Sequence, residues 1–178
     1  PSLCAIRSRI EAVRAGRFAA LALLMLFTGG AQAQEELTLP EVDHLIVRKS
    51  ERRLELYSQG QLVHTFGALQ FGASPRGHKH FQGDERTPEG RYTIDYGNDR
   101  SSYYLSLHIS YPNAEDVAYA EARGRSPGGL IFIHGQPNAL PAGRIPGDWT
   151  DGCIALSNEE MTALWEAVPD GTPIDILP

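Results

Sequence analysis

The chain has 178 residues, with 16 Lys and Arg against 22 Asp and Glu and a formal net charge of −6. That length suits one domain of ordinary size around a single core. The acidic balance, with no basic stripe carrying interleaved aromatics, argues against nucleic acid as a partner, because phosphate contacts need basic side chains.

In chain order, the first segment stands apart. Arg7, Arg9, Arg14 and Arg17 precede the apolar run FAALALLMLF, and TGGAQA follows with alanines at 31 and 33. A basic region, a short apolar stretch and small residues before a cut site describe a secretory signal over residues 1–33. At about ten residues the run is short for a bilayer span, which needs roughly twenty. Cleavage after Ala33 is therefore expected, with no stable membrane insertion afterwards. Retention as an anchor is the alternative. Residues 34–42 form a short polar leader, and residues 43–178 are expected to be the folded domain.

Within that domain the pattern is β-rich. HLIVRK, RRLELYS and LVHTFGAL carry apolar runs bounded by polar turns, with SQGQ (58–61) as a hairpin signal. Residues 72–90, GASPRGHKHFQGDERTPEG, are rich in Gly, Pro and charge and show no periodicity; loops of that length are usually functional or mobile. RYTIDY, YYLSLHISY and GLIFIHG are further strands. A first helix is expected over about 114–123, capped by Asn113 and ended by Gly124. A second follows the capping box formed by Ser157 and Glu160, and Pro169 and Gly171 stop it before a last strand, TPIDIL. The expected fold is mainly β: a single domain of two mixed sheets, sandwich or distorted barrel, with one or two short helices.

Chemistry concentrates at one cysteine. The chain has two, and signal cleavage removes Cys4, leaving Cys153 in GDWTDGCIALSN. An odd cysteine in an exported protein is a reactive thiol, an intermolecular partner or a buried small hydrophobe. A nucleophilic cysteine needs a base or cationic partner, and histidine suits because its pKa lies near the working pH. His44 and His64 fall inside strands. His78 and His80 sit in the long loop without a third ligand nearby, so a metal site is not expected. His134 ends the strand GLIFIH immediately before Gly135, where its ring can face a cleft or settle into the core. The Pro- and Gly-rich stretch that follows can bring Cys153 back toward it. Gly152 permits an unusual backbone angle, so its amide and that of Cys153 can face a developing oxyanion.

Three motifs in this order, TPEGRY, IHG and TDGCIALSN, resemble the catalytic domain of L,D-transpeptidases, the YkuD-type cell-wall enzymes. The resemblance covers roughly residues 43–178. It implies that Cys153 attacks the third-residue carbonyl of a peptidoglycan stem tetrapeptide and expels D-alanine. It implies His134 as general base and acid, oriented by the Gly135 carbonyl, with Gly152 as an oxyanion amide, and it implies no metal or organic cofactor. The thioester then passes to an amine, giving a crosslink, or to water, which would make the protein an L,D-carboxypeptidase or an enzyme cutting a wall-protein crosslink. Peptidoglycan stem peptides are the implied partner, a wall-linked lipoprotein a further one, and the periplasm or another wall-facing compartment the implied location. Trp149, Thr150, Asp151 and Arg86 are candidate substrate contacts; Trp149 could equally pack under its loop. Two departures stand out. Many members have His where this chain has Asp151, and Arg where it has Ala155. Asp151 close to the sulfur would raise the thiol pKa, and Ala155 cannot bind a carboxylate. Arg76, Lys79 and Arg86 of the long loop are the alternative cations.

Overall fold

The computed structural model describes residues 37–140 and 142–178. The expected signal over 1–33 and the start of the 34–42 leader lie outside the described residues. Strand β1 (His44–Arg48) pairs antiparallel with β2 (Arg53–Ser58), and β2 with β3 (Gln61–Phe66). The other edge of β1 pairs parallel with β8 (Pro173–Leu177), which pairs antiparallel with the start of β4 (Gly90–Ser101). Beyond it come β5 (Tyr104–Ile109), β6 (Ile131–His134) and β7 (Ile154–Ala155), the last parallel to β6. Helices α1 (Ala114–Glu121) and α2 (Asn158–Ala167) complete the domain.

Period-two alternation explains how the first half assembles. Leu56, Leu45, Ile174 and Tyr92 are mutual register partners across β2, β1, β8 and β4, and all four are buried. Leu54, Val47 and Ile176 form a second such row. Each fully buried Leu, Val or Ile contributes roughly 1.5–3 kcal/mol of apolar burial. A slip of one residue would turn both rows to the opposite face, which fixes the register.

The strands form one eight-stranded mixed sheet, ordered β3-β2-β1-β8-β4-β5-β6-β7, rather than the two sheets expected from the sequence. The reason lies in β4. Its residues Gly90–Thr93 pair with β8 on one edge, and Ile94–Ser101 pair with β5 on the other, with register irregularities after Ile94 and Asn98. Such irregularities let one strand serve both halves of a sheet. The sequence signal stops at Tyr96 because Gly97, Asn98, Asp99 and Arg100 carry no apolar alternation; Gly97 and Asn98 pair with Leu107 and Ser106 of β5, and Asp99 and Arg100 fall in the irregularity before Ser101.

Both helices begin as the sequence indicates. Asn113 Oδ1 accepts from the Glu115 and Asp116 amides, and Asp116 Oδ2 accepts from the Asn113 amide. Ser157 Oγ accepts from the Glu160 amide at 3.2 Å and Glu160 Oε2 from the Ser157 amide at 3.0 Å. Helix α2 buries Met161, Leu164 and Ala167 in the common core, and its Trp165 ring lies so close to Gly97 that an added Cβ there would sit 2.6 Å from it. That contact seats the outer half of β4 on the helix.

Loop 72–90 contains no strand before Gly90, yet it is anchored by buried charge. Lys49 Nζ donates to the Gly77 and Thr87 carbonyls and to Glu89. Lys79 Nζ donates to Phe81 O and to Asp84, whose other oxygen accepts from the His80 and Phe81 amides. His78 bridges the Glu89 amide and the Asp116 carboxylate, and His80 stacks on Tyr119 at 4.3 Å. Among the described residues no helix is long and apolar enough to cross a membrane.

Candidate active site

The parallel pairing of β6 with β7 sets Ile133 beside Ile154 and His134 beside Ala155. One step back along both strands, the Phe132 amide donates to Cys153 Sγ at 3.4 Å. Cys153 and His134 open into one cleft of about 320 Å³, which also takes in Phe132 and the tip of the β4–β5 hairpin. A second cleft, about 640 Å³, reaches Cys153 from the side of loop 72–90 and includes Lys79, Glu85 and Asp151 but not His134. The sulfur therefore stands between two clefts, with the imidazole in one of them.

His134 is 4% exposed, and its Nδ1 lies 2.7 Å from Gly135 O. A carbonyl only accepts, so Nδ1 carries the proton and Nε2 keeps its lone pair. Tyr103 and Trp149 pack against the ring at centroid distances of 4.8 and 5.5 Å. Burial lowers the imidazole pKa, with the Gly135 carbonyl pulling the other way. Burial raises the pKa of the Cys153 thiol; the Phe132 amide opposes this, the Asp151 carboxylate adds to it and Lys79 offsets it. Both shifts, the thiol upward and the imidazole downward, favour the neutral form of each group.

Two glycines are required by space. A Cβ on Gly135 would lie 2.6 Å from Asn158 Oδ1 and 2.9 Å from the Tyr104 Cβ. That Asn158 oxygen already accepts from the Gln136 amide. Gly152 has φ +120°, and a Cβ there would lie 2.4 Å from the Arg86 carbonyl oxygen. Any side chain would meet both strain and backbone at this position.

The remaining candidates separate by role. Thr150 is buried and ties the turn: its hydroxyl donates to Cys153 O at 2.7 Å and accepts from the Gly152 amide at 3.3 Å. Trp149 walls the imidazole. Asp151 is exposed in the second cleft. Arg86 contributes its backbone beside Gly152, while its guanidinium lies next to Gly77, outside both clefts. Ala155 is fully buried and bridges to Gln70, so this position faces packing rather than solvent.

Sequence reasoning missed the glutamines that hold the loop before the cysteine. Gln136, fully buried, donates to Leu156 O at 2.6 Å and to Gln70 Oε1 at 3.1 Å, and accepts from the Ile145 amide. Gln70 donates in turn to Gly147 O. Asp148 accepts twice from Arg52 at 2.7 Å and once from the Phe71 amide. The single available signal was the uncharged Gln136 directly after IHG, too short a cue to assign a partner.

The fold has solved counterparts. Pgp2 of Campylobacter jejuni, a helical cell shape determining protein, superposes with a TM-score of 0.60 at 25% identity, covering 81% of this chain and 51% of that one. Enterococcus faecium L,D-transpeptidase (a C442S mutant) shares the fold at 13% identity and TM-score 0.51, over 78% of this chain and 50% of that one. YafK of Escherichia coli (strain K12) is 28% identical over 131 residues, which are 70% of this chain and 46% of that protein. The chain thus spans about half the length of these relatives. The L,D-transpeptidase catalytic domain model (YkuD) matches residues 42–176, and the chain belongs to that family.

Proposed function

We propose that this domain is a cysteine acyltransferase acting on peptidoglycan stem peptides, with Cys153 as nucleophile and His134 as general base and acid. The observation that carries this reading is the common cleft of Cys153 and His134, with Nδ1 held by Gly135 O so that the basic nitrogen is free. As Sγ attacks the carbonyl of the third stem residue, its proton passes to His134 Nε2. The imidazolium so formed keeps its Nδ1–H bond to Gly135. The tetrahedral oxyanion draws on the amides of the turn, Gly152 among them, whose bond to Thr150 is long enough to yield. Collapse breaks the C–N bond, His134 returns the proton to the departing D-alanine nitrogen, and a thioester remains on Cys153. An amine on a second stem then takes the acyl group. A wall-linked lipoprotein is a further acceptor or substrate, and a periplasmic or other wall-facing location follows from the substrate.

A second reading, hydrolysis of the same thioester, is favoured by one observation. The position two residues after the nucleophile is a buried alanine packed beside Gln70, leaving no cation there to hold an acceptor. Incubation with tetrapeptide muropeptides separates the readings by mass: crosslinking joins two stems, and hydrolysis leaves a tripeptide with one water added. In both, Cys153→Ala abolishes D-alanine release and His134→Ala lowers it by about 10²–10⁴-fold. D-alanine release that persists undiminished in Cys153→Ala would overturn the proposal.

A further inference from the structure

We infer that Arg100, at the tip of the β4–β5 hairpin, binds the free C-terminal carboxylate of the departing residue and so restricts this site to peptides ending one residue beyond the scissile bond. The inference rests on the acyl-transfer reading above and specifies its substrate.

The argument starts from proton transfer. The leaving nitrogen must collect its proton from His134 Nε2, so the residue it belongs to lies on the imidazole side of Cys153. Of the two clefts that meet at the sulfur, His134 lines only the smaller. The leaving residue therefore occupies that cleft. If it is the last residue of the peptide, a carboxylate enters with it, two bonds from the breaking C–N bond.

Arg100 is the one side chain of fixed charge in that cleft, and no carboxylate of the protein lines it. The Arg100 amide is held by Asn98 Oδ1 at 3.0 Å, which sets the hairpin tip while the side chain remains exposed. Among the described residues, no ion pair involves Arg100. Its guanidinium thus has no internal carboxylate to compete with a ligand. The opposite cleft is unsuitable for a carboxylate: Asp151 and Glu85 line it, and its one cation, Lys79, is already bonded to Asp84. Arginine offers a planar fork of donors that matches a carboxylate in two bonds.

The test uses Cys153→Ala protein, which binds without turnover, and two synthetic stem tetrapeptides, one with a free C-terminal D-alanine and one with its C-terminal amide. With Arg100 present the free acid should bind about tenfold more tightly than the amide. Arg100→Gln should remove that preference and Arg100→Lys restore part of it. Raising salt should erode the preference only where a cation is present. Because Arg100 is exposed, the Gln variant should keep its unfolding midpoint, so a changed preference is not a folding effect. An acid-to-amide ratio that is the same with Arg100 and with Gln overturns the inference while leaving the acyl-transfer reading intact. Failure of both peptides to bind overturns that reading, and the inference falls with it.

Discussion

The two flanks of Cys153 handle charge in opposite ways. On the side of loop 72–90, Lys49 and Lys79 are buried and bonded to Glu89, Asp84 and backbone carbonyls. On the side of the β4–β5 hairpin, Arg100 stands exposed at the rim. Both segments read as polar and irregular in sequence. The first uses its charges to hold an irregular backbone in one shape, since a buried ammonium is tolerated only when carboxylate and carbonyl groups surround it. The second has its backbone fixed by the β5 ladder and by Trp165 against Gly97, and its cation remains available to a ligand. Charge density alone does not distinguish the two segments; the presence or absence of internal partners does.

The sharpest way to break this contrast is Asp84→Ala. It leaves the Lys79 ammonium buried and the His80 and Phe81 amides without their acceptor, and should cost roughly 3–5 kcal/mol of stability in denaturant unfolding. A loss below about 1 kcal/mol would show that the loop is not held by its charges. Next is Gly152→Ala, where left-handed strain and contact with the Arg86 carbonyl should cost about 1–3 kcal/mol and move the sulfur out of register with His134. The measurable result is slower thiol acylation in a protein that still unfolds cooperatively.

Smaller effects sharpen the electrostatics. Asp151→Asn removes a negative charge that raises the thiol pKa, so the thiolate fraction near pH 8 should rise and iodoacetamide alkylation of Cys153 accelerate about twofold to fivefold. An unchanged alkylation rate would detach Asp151 from the sulfur. The pH profile of kcat/KM follows from both shifts. In the proposed mechanism His134 must be neutral to accept the proton, and burial lowers its pKa; activity should therefore climb to its plateau below the ordinary imidazole range of about 6.5. The raised thiol pKa places the upper transition above the ordinary cysteine range, so the profile should be flat through neutrality. A midpoint of the acid limb above pH 7 would mean that the imidazole is not desolvated as the structure has it.

Much of the fold was readable because its causes are local. The strand runs around Leu45, Leu54 and Ile174 alternate cleanly, and both helix starts carry reciprocal caps whose partners are three residues apart. The motifs IHG and TDGC were readable as well, since His134 binds the carbonyl of its own neighbour and Thr150 ties a turn of four residues. What could not be read depends on segments distant in sequence. The pairing of β7 with β6 spans about twenty residues, and two-residue strands have no periodicity to detect. Continuity of the sheet through β4 was hidden because its outer half lacks apolar residues, and the Gln70–Gln136 pair joins side chains 66 positions apart.

The sequence by itself determined which groups are the candidates for the proposed chemistry, because a thiol beside Gly152 and an imidazole beside Gly135 are fixed by residue type and by backbone room within a few positions. Only the tertiary structure decided how far each is desolvated and how the space around them is divided. Desolvation and cleft shape arise from residues brought together by folding: Phe132 and Asp151 at the sulfur, Tyr103 and Trp149 at the imidazole, and Arg100 at the open end.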